Sequence, residues 1–398
     1  MKTILVIATL DTKGTEVAFC REQIEALGAE ALLIDGGVLG EPTIKPDITR
    51  EEVAAAAGTT IEEVRKSPSE ADALGLQTRG AGAIALRLHR EGRIHGVLGI
   101  GGGMGTTLGT GVMGALPIGV PKFMVSSQAG NPAVSVLVGT KDISMFHSVV
   151  DVVGLNRLTK LIFTRACGGV VGMANAEVKE EKGEKKIVAL CAKGSTEDSS
   201  RMIRERLADA GFLPMTFHCF GFGPASLEQV IADGYIDGGV IEFSSDWLDR
   251  IAGGYSFPPD DRYENAGKIG LPQVFVPGSC DLIAAPPGKY TGRKSTPHNQ
   301  AVTAYRSSYS ELHQVGREIG EKLSKSKGPA TVVIPLQGFS MYDRVGGPMY
   351  DPDANTGFID AISAFSSKLK VIKVDAHVLD KKFADAVMDA FLENVAKV

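Results

Sequence analysis

Short apolar runs rich in β-branched residues alternate along this chain with longer amphipathic stretches. Ile4 to Ala8 reads as a strand. Glu16 to Leu27 reads as a helix with Phe19, Ile24 and Leu27 on one side. Ala31 to Ile34 is a second strand, and Ile48 to Arg93 is mostly helical, with Thr60-Ile61-Glu62-Glu63 as a helix start. Further strands are predicted at Gly96 to Ile100, Pro121 to Val125 and Val134 to Val138. This alternation predicts βαβ units in an α/β, doubly wound parallel sheet. Ligands in such sheets sit beyond the carboxyl ends of the strands, where Asp11 to Glu16 and Gly101 to Thr107 fall.

The pattern breaks at Glu177 to Lys186, a charged stretch without apolar periodicity that reads as a linker. Beyond it, Lys186-Ile187-Val188-Ala189-Leu190-Cys191-Ala192-Lys193-Gly194 restates the opening Lys2 to Gly14, a strand ending in Lys-Gly with small hydroxyl residues after it. Gly238 to Asp246 takes the place that Gly96 to Thr107 holds in the first half. The expectation is two Rossmann-like domains facing across a cleft: 1–180, an N-terminal nucleotide-binding domain, and 181–398, a C-terminal α/β domain. At 398 residues, two domains are also what length favours.

Composition narrows the function classes. A chain 43% hydrophobic and 22% charged is that of a water-soluble globular protein, and a net charge of −5 argues against nucleic acid or anionic membranes as partners. Five scattered cysteines without CxxC spacing point to a reducing compartment and to no structural zinc. The first apolar run is too short for a signal peptide or a membrane span. A cytoplasmic location is expected.

The chemistry starts at Gly101-Gly102-Gly103-Met104-Gly105-Thr106-Thr107, where an apolar strand opens into a glycine cluster. Glycines there admit a ligand close to backbone N–H groups, and a helix starting near Thr106 would add its positive end, which together suit phosphate or carboxylate. No Gly-Lys-Ser/Thr closes the turn, so it is not a P-loop, and GxGxxG fits poorly. Thr12, Lys13 and Gly14 in the first half, and Lys193 and Gly194 in the second, offer lysines as point charges for phosphate. Asp11, Glu16 and Glu197 are carboxylates placed to hold magnesium through water, although no residue set is assigned as a metal site. Asp35 follows a strand where nucleotide sheets often carry a ribose ligand.

Several motifs act as a set: Thr9-Leu10-Asp11-Thr12-Lys13-Gly14-x-Glu16, Gly101 to Thr106, Met145 to Asp151 with Gly154-Leu155-Asn156, Val276 to Asp281, His298-Asn299, Pro335 to Gly338 and Asp375-Ala376-His377. With them the chain resembles, over essentially its whole length, an uncharacterised bacterial and fungal family similar to the ATP-binding N-terminal region of a tomato mosaic virus resistance protein (the Tm-1-like ATP-binding family). The resemblance implies two α/β subdomains, ATP with magnesium as cofactors, and self-association into a homo-oligomer. It supplies no reaction. Phe220 to Pro224 and Ile283 to Lys294 depart from the family pattern.

Three histidines in these motifs, His147, His298 and His377, together with Asp281, are the candidate catalytic groups. His147 stands one helical turn before Asp151, so the two would share a face. Gly338, Ser340 and Asp343 would close the cleft from the second domain. No HExxH, GxSxG or cysteine-based signature is present. The expected function is ATP binding, with the cleft histidines acting on a small anionic metabolite. Two alternatives stay open: a non-catalytic nucleotide-binding oligomerisation or interaction module, and a nucleotide-independent enzyme acting on a sugar-derived or carboxylic acid.

Overall fold

A computed structural model describes residues 1–131, 133–177 and 185–398. The chain divides into two compact units, Met1–Glu180 and Glu181–Val398. Most of the charged stretch read as a linker, residues 178–184, lies outside the described residues.

The first unit runs β1 (Thr3–Ala8), α1 (Leu10–Ala26), β2 (Glu30–Asp35), α2 (Arg50–Ala56), α3 (Ile61–Arg65), α4 (Glu70–Arg90), β3 (Gly96–Gly101), α5 (Gly103–Gly114), β4 (Lys122–Ser126), α6 (Val134–Val138), β5 (Ser144–His147) and α7 (Arg157–Asn175). Its strands pair in parallel in the order β2-β1-β3-β4-β5. β1 is buried along its whole length because both faces are covered, as parallel sheets require. Ile4, Val6 and Ala8 pack toward α1 and α7, whereas Leu5 and Ile7 pack toward α4 and α5.

The second unit runs β6 (Ile187–Ala192), α8 (Glu197–Asp209), β7 (Leu213–His218), α9 (Gly223–Ala232), β8 (Gly239–Phe243), α10 (Asp246–Ala252), α11 (Asn265–Lys268), β9 (Gln273–Val276), β10 (Leu282–Ala285), β11 (Ser295–Pro297), β12 (Thr303–Arg306), α12 (Tyr309–Leu323), β13 (Ala330–Pro335), α13 (Pro352–Ser363), β14 (Lys370–Val374) and α14 (Lys381–Val395). Six strands form a parallel sheet in the order β14-β13-β9-β8-β6-β7, and β10-β12-β11 form a small antiparallel sheet. The two α/β domains expected from the sequence are therefore present. β6 lies between β7 and β8 as β1 lies between β2 and β3, so the two Lys-Gly turns leave equivalent strands.

Three local expectations need correction. Val134 to Val138 is the short helix α6, not a strand: only Val134 is buried, so the run cannot be an inner strand, and the edge place goes to β5. Helix α1 begins at Leu10 rather than Glu16, because the Asp35 carboxylate accepts the Leu10 N–H at 3.0 Å and satisfies its first turn. Helix α5 begins at Gly103, before Thr106. The predicted helix start at Thr60 is correct, and Thr60 and Glu63 form a capping box at α3.

Candidate functional site

The carboxyl ends of the first unit's strands surround a cavity of about 1020 Å³. Thr12 and Lys13 reach it from the start of α1, and Gly102, Gly103, Met104 and Gly105 reach it from the start of α5. Neither helix has a side-chain cap, which leaves first-turn N–H groups of α5 available to an acceptor. The positive ends of two helix dipoles and a lysine thus converge on one space.

The glycines of the turn divide by role. A Cβ on Gly101 would lie 2.5 Å from the Cα of Gly105, and one on Gly105 would lie 3.3 Å from the Ile100 carbonyl oxygen, so this pair is needed for strand-to-helix contact. At Gly103 a Cβ would meet nothing within 4 Å, and at Gly102 its nearest neighbours would be Asp151 Oδ1 and Ser127 Oγ, both at 3.8 Å. Gly102 and Gly103 are the open positions.

Other predicted ligands turn inward. Thr106 is fully buried, donating to the Gly102 carbonyl at 2.6 Å and pairing with Ser126 Oγ at 2.6 Å. Gly14 lies inside α1, where a Cβ would meet Thr43 Oγ1 at 2.0 Å. Thr107 hydrogen-bonds the Gly103 carbonyl at 3.3 Å, outside the lining. Asp35 is 1% exposed and accepts the Leu10 and Gly37 N–H groups; burial raises its pKa against those two donors. Both bonds fall on Oδ1, and Asp35 is not among the residues that line the cavity. Glu16 is also buried, accepting the Gly154 N–H, and is not on the cavity wall; in the second unit Glu197 pairs with Arg204.

Asp11 does line the cavity. Its Oδ2 accepts the Gly40 N–H at 3.1 Å, while its buried Oδ1 has no partner among the described residues. Across the turn, Val149 holds a left-handed backbone (φ 66°), a strained state for a β-branched residue, and presents Val150 and Asp151 to the same space. His147 ends β5 exposed, and the segment to Asp151 is not helical, so the shared helical face does not exist. Among the described residues no histidine lines the cavity.

Sequence reasoning missed the far wall. Val64, Arg65, Glu70, Ala73 and Leu74, at the junction of α3 and α4, close the cavity from outside the strand-end loops. Amphipathic helices at that point look like any other cover for a sheet.

The remaining candidates lie in the second unit. Asp281 is fully buried; its Oδ2 accepts from Ser340 Oγ at 2.6 Å, and its Oδ1 has no partner among the described residues. Burial, and then the neighbouring Asp343 carboxylate, push its pKa up to about 7 despite Arg306. The His377 ring is engaged on both sides. Its Nδ1 accepts the Leu379 N–H at 3.3 Å, so Nε2 carries the proton and donates toward the Ser340 and Asp343 carbonyls at 3.1 and 3.2 Å. Ser340 and Asp343 are themselves buried, as supports of this loop. Asp281 and His377 thus meet at one residue, Ser340, through its hydroxyl and its carbonyl, whereas His298 is exposed after β11. Lys193 and Gly194 follow β6.

Beside them the sequence concealed a buried ionic cluster. Arg262, fully buried, donates to Glu228 at 3.0 Å, to Asp246 at 2.9 Å and to both oxygens of Glu242. Burial raises Glu242 to about 7 against the pull of Arg262.

Comparison with known proteins places the chain. The N-terminal domain model of an uncharacterised protein family, UPF0261, matches residues 2–179, and its C-terminal domain model matches residues 185–395. The chain belongs to the UPF0261 family. A UPF0261 protein of Clostridium tetani is 33% identical over 403 residues, covering all of both chains. The ToMV resistance protein Tm-1(GCR237) of Solanum lycopersicum is 29% identical over 316 residues, 76% of this chain and 42% of that one. The resemblance to the tomato protein is therefore a partial one, within a chain whose matching family is UPF0261. Among solved structures, UDP-GlcNAc 2-epimerase from Methanocaldococcus jannaschii aligns with 69% of this chain and 83% of its own at 11% identity, with a TM-score of 0.23, too slight a likeness to bear on ligand or reaction. Among the described residues, no helix is long and apolar enough to cross a membrane.

Proposed function

We propose that the first unit binds a nucleotide, with ATP as the leading candidate, through its strand-end cavity. The observation that carries this reading is the joint opening of the α1 and α5 N-termini, with Lys13 between them, onto a space of about 1020 Å³. That is the size range of cofactor sites. In this reading the phosphates take the N–H groups at Gly103 to Gly105 and the Lys13 ammonium. The base lies toward the apolar side chains of Val64, Ala73 and Leu74.

Magnesium fits in a limited way. Asp11 and Asp151 are carboxylates on the cavity wall, and the unpartnered Asp11 Oδ1 is itself buried. Among the described residues no three acidic, cysteine or histidine side chains cluster to cage a metal, so phosphate oxygens would complete the shell.

The test is calorimetric titration with ATP, with and without magnesium, against GTP, NAD and inorganic phosphate. Saturable, ATP-preferring heat that disappears in Gly103→Asp and Lys13→Ala proteins supports the reading. Silence at millimolar ATP in folded protein, or undiminished binding in both variants, would remove it.

A further inference from the structure

Lys122 is fully buried and the Lys193 side chain largely so, and the two are treated differently. Lys122 in the first unit gives its ammonium to the Pro117 and Val120 carbonyls at 2.6 and 2.9 Å and to Asp142 at 2.7 Å. It is a structural lysine with its donors used. Lys193, at the carboxyl end of β6 in the second unit, has a side chain only 11% exposed, and its sole ion-pair partner among the described residues is Asp249 Oδ2 at 3.6 Å. That is beyond hydrogen-bonding distance. Asp249 is satisfied without it, accepting the Ala284 N–H at 3.0 Å and the Ser256 hydroxyl at 2.5 Å. At that distance Asp249 supplies counter-charge but no hydrogen bond. The Lys193 ammonium keeps a small exposed face and makes no hydrogen bond among the described residues, so its donors are open to an acceptor from outside the protein.

The surroundings shape what that acceptor belongs to. Gly194 is exposed, with nothing within 4 Å of where a Cβ would stand. Beside it the Ser195 and Ser279 hydroxyls pair at 2.6 Å, and Ser279 is held in a left-handed backbone (φ 63°) with its N–H on the Phe339 carbonyl. Ser245 Oγ, 1% exposed as a residue, has no partner among the described residues. Aromatic rings lie in the same region: His218 is 6.1 Å from Phe220, and Phe220 meets Tyr255 edge-on at 6.4 Å. Tyr255 precedes Ser256, which bonds Asp249, so rings and lysine belong to one neighbourhood. Burial and then the Lys193 charge hold His218 below the usual imidazole range, with His298 acting in the same sense, so Lys193 and His298 both lie within electrostatic reach of His218.

We propose that the second unit holds a separate binding site for the oxyanion of a small organic acid or phosphate ester, gripped by Lys193, with the flat or apolar body of the ligand against His218, Phe220 and Tyr255. The site does not rest on the nucleotide reading of the first unit. It needs only a ligand that brings oxygen acceptors to a lysine lacking them and a hydrophobic surface to the neighbouring rings.

Titration of the full chain, by calorimetry or by NMR, tests it with phenyl phosphate and benzoate as probes and inorganic phosphate and acetate as bodiless controls. Phenyl phosphate is expected to bind saturably, in the millimolar range or tighter, and more tightly than inorganic phosphate. Lys193→Met is expected to weaken it at least about tenfold, the worth of a charge-assisted hydrogen bond. Phe220→Ala is expected to weaken phenyl phosphate by about threefold or more and leave inorganic phosphate unchanged. Gly103→Asp, in the first unit, is expected to leave the second-unit binding in place. No saturation by either probe at about 10 mM, equal affinity for phosphate and phenyl phosphate, full affinity in the Lys193→Met protein, or loss of all binding in Gly103→Asp would overturn the proposal. Should Lys193→Met fail to fold by circular dichroism, the Phe220→Ala discrimination decides alone.

Discussion

The Cβ that Gly101 lacks would lie 2.5 Å from the Cα of Gly105, so strand β3 and helix α5 touch backbone to backbone at the mouth of the first-unit cavity. Two residues along, Gly103 faces open space. Adjacent glycines of one motif are thus present for different reasons, and mutation separates them. Gly101→Ala is expected to destabilise the unit by about 1–3 kcal/mol, because neither backbone can yield cheaply. Gly103→Ala is expected to be neutral or slightly stabilising, since alanine is the better helix former. Chemical denaturation of the two variants checks the contrast; equal losses would contradict it.

Among the described residues Arg262 is the one cation that pairs with Glu228, Glu242 and Asp246, all of them buried. Removing it as Arg262→Met leaves three carboxylates facing one another without compensation. The expected loss is about 3–5 kcal/mol, as for other broken buried pairs. A denaturation midpoint within error of the unchanged chain would mean that the cluster is neutral in the folded state.

Asp281 and Glu242 both have folded-state pKa values raised to about 7 by burial. Between the ordinary carboxylate pKa and that value the folded chain binds more protons than the unfolded one, so stability falls as pH rises through this window. Their stabilising contribution is full in acid, below the unfolded pKa, and is lost by about pH 7. Asp281→Asn, a mimic of the neutral acid, is expected to stabilise the chain at pH 8, on the order of 1–3 kcal/mol for relief of a buried unpaired oxygen. The gain should shrink toward pH 5. Melting temperatures of both proteins across pH 5 to 8 measure it, and a pH-independent difference would contradict the assignment.

Val149 holds φ 66° beside the cavity, a conformation that glycine adopts without strain and valine does not. Val149→Gly is expected to raise stability by up to about 1 kcal/mol, the relieved strain exceeding the added chain entropy. A clear loss of stability would show that the Val149 side chain makes a packing contribution larger than its strain.

His377 supports the loop that carries Ser340 and Asp343 rather than offering a free ring nitrogen. His377→Ala is expected to lower stability by about 1–2 kcal/mol through the freed carbonyls. Hydrogen exchange should show the 339–343 segment opening first, and unchanged protection there would argue against this role.

What could be read from the residues in order was what local patterning controls. The apolar runs at Ile4 to Ala8 and Ile187 to Ala192 had to be inner strands, because parallel strands covered on both faces are apolar throughout. The Thr60 helix start and the place of the glycine turn were legible for the same reason: each depends on neighbours a few residues away. Val134 to Val138 misled because a β-branched run becomes a strand only where a sheet has room for it. The chemical state of each candidate was decided by partners from far along the chain. Asp35 is spent on Leu10, and Glu16 on Gly154 across 138 positions of sequence. Lys122 is satisfied while Lys193 is not, though both sit at strand ends. Propensity is a property of short segments, whereas burial and hydrogen-bond satisfaction are properties of the packed whole, and a side chain is available to a ligand only where packing leaves its polar atoms unpaired.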